Sequence, residues 1–321
     1  MSVELSKFGK RLMDYYKESN IEFNGIPVTG RIRMIKQPYG GYLPVKSLNV
    51  IELNYDNYLI SSAKESVAPN LVGLAVDYLT RYMLTGDKEK AFFIALKGID
   101  YIDELSKIYK EINNNNDWHL LNGKDRVELA KESLDKIKGL DDESIYNAIC
   151  LSTFDAVYRR GAVNQYYFIK NNVLRSERYH PDPEWGCLHP DVKISRDTCI
   201  NIRRMVQRSL KFFEEYGPII CDGFTFEPNG YTKIVNAGDG DFLTKNTLWD
   251  FKVSSNKPTS KQTLQILMYY IMGKHSGNSI FDEITNIGIY NPRLNTVYLK
   301  SIDGISSDVI DEVSREVIGY E

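Results

Sequence analysis

No apolar run in the sequence approaches the ~18 residues that a membrane-spanning helix requires. The first ten residues carry Glu4, Lys7 and Lys10 and read as amphipathic, which does not suit a signal peptide. Cysteine is scarce, with four in 321 residues (Cys150, Cys187, Cys199 and Cys221). That is too few and too dispersed for a disulfide scaffold, so they read as reduced thiols of a cytoplasmic protein. Four scattered histidines support no Ser-His-Asp or Cys-His catalytic set. His180, Cys187, His189 and Cys199 are candidates for zinc, but their spacing matches no standard signature. An excess of one charge is also lacking: 40 Lys and Arg stand against 43 Asp and Glu, a net of -3. This excludes a polyanion binder driven by a charged tail and leaves room for a local basic patch. With 42% hydrophobic and 26% charged residues, the chain has the composition of a folded protein with a core of normal size. Its length suggests about two domains, or one domain with a large insertion.

The punctuation of the chain divides it into three regions. Residues 1–60 form a strand-rich N-terminal extension, in which Ile26 to Met34 alternates in part and Pro38-Tyr39-Gly40-Gly41 reads as a turn. Residues 61–218 are mostly helical. Leu71, Leu74, Ala75, Tyr78, Leu79 and Tyr82 recur at three and four, the period of an amphipathic helix ended by Gly86-Asp87. Further helices are expected over Lys88 to Lys97, from the Leu140 to Ser144 stretch, and from a cap at Asp197 or Thr198 to Tyr216. Residues 219–321 read as strands with two helices. Ile219-Ile220, Gly223 to Glu227 and Tyr231 to Ala237 are short strand candidates, and Asp241 to Thr244 pairs with Leu248 to Val253 around Lys245-Asn246. Pro258-Thr259-Ser260 opens a helix to Met272, Ile287 to Tyr290 pairs with Thr296 to Leu299, and Asp308 to Val317 forms a last helix. Gly238-x-Gly240 lacks the rest of a dinucleotide fingerprint and precedes no helix, so it is a turn.

The chemistry concentrates in that last region. Strand side chains alternate faces, so Asp250 and Lys252 share one face while Trp249 and Phe251 take the other. Asp241 lies across the short hairpin from Asp250, where two carboxylates could converge on one cation. Hard oxygen ligands of this kind suit Mg²⁺ or Mn²⁺, and a lysine two residues on is placed to orient or activate water. On the following helix Gln262, Gln265 and Tyr269 fall on one face, and Leu264, Leu267, Met268 and Ile271 on the buried side.

Gly238-Asp239-Gly240-Asp241-Phe242-Leu243, then Asp250-Phe251-Lys252, then Gln265-x-x-x-Tyr269 together resemble the PD-(D/E)XK nuclease superfamily. The order is similar to its RecB-like branch, which includes the CRISPR-associated exonucleases. The match covers about residues 219–300. The resemblance implies an α/β, restriction-endonuclease-like mixed sheet flanked by helices, with a large helical insertion. It implies a Mg²⁺- or Mn²⁺-dependent deoxyribonuclease, with Asp241 and Asp250 as metal ligands, Lys252 as the catalytic lysine, and Gln265 and Tyr269 as the trailing motif. The branch also has an early G-x-x-H helix whose histidine joins the metal. Gly73 to Tyr78 is similar, with Asp77 near the histidine's place, so Asp77 is the expected third ligand. Glu214, Glu215 and Glu227 are the alternatives. Some members hold an iron–sulfur cluster with three cysteines after the Q-x-x-x-Y helix. No cysteine follows Tyr269, so that cluster is not expected.

Residues 159–211 carry eleven Lys or Arg against five Asp or Glu, an asymmetry that fits phosphate contacts. Arg204, Arg208 and Lys211 share one helix face and are the expected nucleic-acid-binding set, with Tyr166, Tyr167 and Trp185 as candidates for stacking on bases. The expected partner is DNA, with no membrane, and with a protein partner or a second copy left open. By analogy with the family, the setting is DNA processing or defence against foreign DNA. The competing readings are a catalytically inactive nuclease-fold subunit that binds DNA within a larger complex, and cleavage of RNA.

Overall fold

The computed structural model describes residues 26–55, 58–100, 123–155, 158 and 194–321. The strands are β1 (Ile26–Pro27), β2 (Asn49–Glu52), β3 (Ile219–Phe224), β4 (Val235–Ala237), β5 (Gly240–Thr244), β6 (Thr247–Phe251), β7 (Asn286–Asn291) and β8 (Thr296–Ser301). The helices are α1 (Val28–Met34), α2 (Pro69–Thr85), α3 (Lys88–Ala91), α4 (Gly123–Lys136), α5 (Asp142–Ser152), α6 (Arg196–Tyr216), α7 (Ser260–His275) and α8 (Ser307–Glu312), the last running into a π-helical turn at Val313–Ile318. No helix of the described residues is long and apolar enough to cross a membrane. The chain is mixed α/β, with a mixed six-stranded sheet flanked by helices.

Two compact units divide the chain. Among the described residues, those from 59 to 206 form a helical unit, and those from 26 to 58 and from 207 to 321 a sheet unit. Within the sheet unit β2 pairs with β8, and α6 runs through the division between the units.

In the helical unit, α2 and α4 both pack on α5. Of the stripe that the three-and-four spacing predicts on α2, Ala75, Tyr78 and Leu79 are buried and Leu71, Leu74 and Tyr82 only partly so, while Val72 and Val76 complete the buried face. Gly86 closes that helix in the left-handed conformation (φ 72°), as a C-terminal glycine does. The Tyr78 hydroxyl donates to the buried Asp155 carboxylate. Asp141 caps α5 by accepting from the Ser144 N–H at 2.9 Å. At the start of α6 the capping oxygen is that of Ser195, which accepts from the Thr198 N–H at 3.2 Å. The expected caps, Asp197 and Thr198, are already helical. Cys150 and Cys199 are buried and form no disulfide, and burial pushes the Cys199 pKa up to about 11.

The six-stranded sheet of the other unit has the order β2-β8-β7-β6-β5-β3. Its pairs are antiparallel except β6 with β7, which are parallel and joined through α7. One face of the sheet is aromatic. Phe212 of α6 stacks on Tyr290 at 4.0 Å between ring centres and meets the edge of Trp249 at 4.9 Å, while Phe213 meets Phe242 at 4.8 Å. Gly288 sits under the Trp249 ring, where a Cβ would come within 2.2 Å of it. The other face belongs to the main core. Leu243, Leu248, Ile287 and Ile289 meet Leu264, Leu267, Met268 and Ile271 of α7, the buried side expected of that helix. Thr259 and Gln262 form a capping box at the start of α7, so Gln262 is committed to the helix end.

One expected strand is a helix. After two residues of β1 the stretch from Val28 becomes α1, because Val28 and Ile32, four apart, are the residues the core buries. Arg31 then reaches the C-terminal π-helical turn, donating to the carbonyls of Val317 at 2.8 Å and Glu316 at 2.7 Å. Cations at the end of a helix suit its dipole.

Candidate functional site

The site is built where β5, β6 and α7 meet. Phe242 pairs with Trp249 and Leu243 with Leu248 in the antiparallel register. Extended by one residue, that register sets Asp241 opposite Asp250, on the same face as Leu243 and Leu248. Facing residues of neighbouring strands have Cβ atoms roughly 4.5–5.5 Å apart, and like charges there repel. The sequence thus places two carboxylates in a position that favours a cation between them. The glycine before Asp241 has its own reason: a Cβ on Gly240 would come within 2.0 Å of the Phe224 ring on β3, so only glycine lets the edge strand close over this point.

Asp250 is 1% exposed. Its Oδ1 accepts from the Lys252 ammonium at 2.9 Å. The Lys252 N–H donates to the Tyr290 carbonyl at 2.9 Å, so the pairing with β7 continues past Phe251 and keeps Lys252 on the face of Asp250. The Asp241 Oδ2 accepts from the Phe251 N–H at 2.7 Å, which turns that carboxylate toward the end of β6. Beyond Lys252 the loop is tied by Asn291, whose Nδ2 donates to the Ser254 carbonyl at 2.8 Å.

Helix α7 closes the site from above. Gln265 Nε2 donates to the Tyr269 hydroxyl oxygen at 2.8 Å, so the tyrosine proton is directed elsewhere. Burial, and next the Asp250 carboxylate, hold the Tyr269 hydroxyl protonated well above the ordinary tyrosine range. Asp239 and Asp241 push the same way, and the Gln265 hydrogen bond opposes them. One hydroxyl therefore senses three aspartates, and at neutral pH it is uncharged. The five expected residues Asp241, Asp250, Lys252, Gln265 and Tyr269 come together.

Two residues beyond the expected set bear on the site: Asp239, in the same Gly-Asp-Gly-Asp turn, whose acidic character is the only signal of it in the sequence, and Tyr231, whose hydroxyl donates to the Gly238 carbonyl at 2.6 Å and fixes that turn.

The remaining candidates are carried by other elements of the chain. Asp77 lies in the helical unit and is ion-paired with Arg81 one turn on, at 3.1 Å. Glu214 and Glu215 are exposed on α6, which covers the aromatic face of the sheet, not the face of Asp250, and Glu215 accepts from the Tyr55 hydroxyl at 2.8 Å. Glu227 is exposed. Among the described residues, no group of three or more His, Cys, Asp or Glu side chains converges as metal ligands would. Arg208 is a correction to the expected basic face. It is 7% exposed, and its Nη1 donates to the carbonyls of Pro292 at 2.9 Å and Arg293 at 3.1 Å in the β7–β8 turn. Lys211 is exposed with its ammonium over the Tyr55 ring, and Arg204 is half-buried. His180, Cys187, His189, Tyr166, Tyr167 and Trp185 lie outside the described residues. Comparison with protein-family models, curated proteins and solved structures finds no match to the chain.

Proposed function

We propose that this protein is a metal-dependent nuclease with a restriction-endonuclease-like sheet unit. It hydrolyses DNA phosphodiester bonds with Mg²⁺ or Mn²⁺ held by Asp241 and Asp250, in DNA processing or defence against foreign DNA. The observation that supports it best is the meeting of two aspartates from neighbouring strands, with the ammonium of Lys252 2.9 Å from one of them, beneath a Gln–Tyr pair on the next helix.

The donor set fits the ion. Both groups are hard anionic oxygens, and Mg²⁺ commonly takes only one or two carboxylates, completing its shell with solvent and phosphate oxygens. A third protein carboxylate is not required. Bound there, the ion would offset charge on the scissile phosphate and acidify the attacking water. The chain's own residues have distinct tasks. Asp241 is oriented by the Phe251 N–H. Lys252 supplies positive charge where the phosphate gains negative charge in the transition state. Tyr269, kept neutral by burial beside the acidic cluster, walls the site without adding charge, and Gln265 positions it by donating to its hydroxyl.

The chain incubated with single-stranded DNA, double-stranded DNA and matched RNA is expected to cleave DNA in Mg²⁺ or Mn²⁺ and to stop when the metal is chelated. Cleavage of RNA alone would change the substrate. A second reading is a DNA-binding subunit that no longer cuts, which the pairing of Asp77 with Arg81 favours. DNA bound but left whole in both metals would establish it.

Phosphate contacts are assigned to Arg204 and Lys211, and not to the inward-turned Arg208. Arg204→Ala and Lys211→Ala are each expected to weaken DNA binding and to reduce the slope of log affinity against log salt by about one. A slope unchanged in both would remove α6 from the DNA surface.

A further inference from the structure

We infer that Lys252 is the resident counter-ion of Asp250 and that a divalent cation displaces it, so that metal entry is the step that frees this lysine for the phosphate. The inference rests on the metal-dependent reading above and specifies how the site is held before the ion arrives.

A carboxylate as buried as Asp250, 1% exposed, is costly without a counter-charge. Asp241, opposite it in the extended register, makes the local field more negative still. The Lys252 ammonium answers both, donating to Asp250 Oδ1 at 2.9 Å. Its side chain is 27% exposed, so the head group has a route outward along a flexible four-carbon stem. Asp250 has no such freedom. It is fixed in a central strand whose neighbours are paired on both sides.

A divalent ion at the two carboxylates competes for the lone pairs that the ammonium holds. Mg²⁺ binds oxygen at about 2.0–2.1 Å, closer than an ammonium can approach. Two cations at one carboxylate edge repel strongly in a partly buried site. Two carboxylates and one ammonium leave the site net negative, and a divalent ion makes it net positive. The lysine is then repelled from Asp250 and turned toward an incoming phosphate. Lys252 thus has two roles in sequence: a place-holder that keeps two facing carboxylates tolerable in the folded protein, and a phosphate-directed cation once the ion is in place. A cation elsewhere on the surface cannot substitute for the first role, because it is the short reach from residue 252 to residue 250 on one strand face that closes the pair.

Mn²⁺ affinity, read from the free-ion signal in electron paramagnetic resonance, tests this on the wild type, Lys252→Met and Asp250→Asn. Lys252→Met, which keeps the stem and removes the competing charge, is expected to bind Mn²⁺ about tenfold or more tightly than wild type. Asp250→Asn is expected to bind it most weakly. In the wild type, acylation of Lys252 followed by mass spectrometry is expected to quicken when Mn²⁺ is saturating, a readout that needs no variant to fold. Equal or weaker Mn²⁺ binding by a folded Lys252→Met overturns the inference, as does Lys252 labelling that slows or stays constant with the ion. If the wild type still binds Mn²⁺ and cuts DNA in that case, the nuclease reading stands and only the displacement is lost. If wild type and Asp250→Asn bind Mn²⁺ equally poorly and no DNA is cut, the nuclease reading fails and takes the displacement with it.

Discussion

Arg208→Ala is expected to destabilise the sheet unit by about 2–4 kcal/mol, measured as a fall in the urea midpoint at constant slope. The guanidinium is buried and bridges two carbonyls, those of Pro292 and Arg293, at 2.9 and 3.1 Å. These carbonyls belong to the turn that joins β7 to β8, where Asn295 takes a left-handed conformation with φ 54°. Removing the donor leaves two carbonyls short of a partner and opens a space beside the Phe212–Tyr290 stack. Arg208→Lys is expected to recover little, because a point charge cannot serve two acceptors as a planar fork does. The same variants are expected to leave the salt dependence of DNA binding unchanged, since this arginine faces the protein. An unchanged urea midpoint, or a salt slope reduced by about one, would return Arg208 to the surface.

The contrast between Arg208 and the D-x-K strand shows what the sequence makes legible. The β5–β6 hairpin, α7 and the β7–β8 pair were readable because turn residues and period-two or period-three-to-four patterns coincide there. Asp250 and Lys252 fall on one face by the geometry of any strand, so their meeting needed no tertiary information. Helical arithmetic placed Arg204, Arg208 and Lys211 on one side of α6 equally well, but it does not say how wide the covered side is. On α6 the burial of Met205, Val206, Ser209, Phe212 and Phe213 extends round to Arg208. Short elements were the other failure. Seven residues of α1 carry too few apolar positions to separate a four-residue from a two-residue period, and the core of α7 decides between them. Asp239 escaped notice for a different reason: a carboxylate in a Gly-Asp-Gly-Asp turn looks like turn chemistry until the fold brings Tyr269 beside it.

Asp250→Asn is expected to lower DNA cleavage by about a thousandfold or more while leaving the melting temperature close to wild type. The change is isosteric. The amide oxygen can still accept from Lys252, and the group no longer carries a buried charge whose desolvation the fold must offset. Loss of stability therefore cannot account for loss of activity, which separates this site from a merely structural ion pair. Asp241→Asn is expected to show a loss of similar size, and the double variant little more than either alone, because two ligands of one ion act as a unit. Tyr269→Phe removes only a neutral hydroxyl that accepts from Gln265 and is expected to cost far less, within the roughly tenfold to hundredfold range of a lost positioning hydrogen bond. The order of these effects carries the argument. If Asp250→Asn cleaves at the wild-type rate while Tyr269→Phe does not, the chemistry runs through the hydroxyl, and the two carboxylates serve only to hold the end of β6.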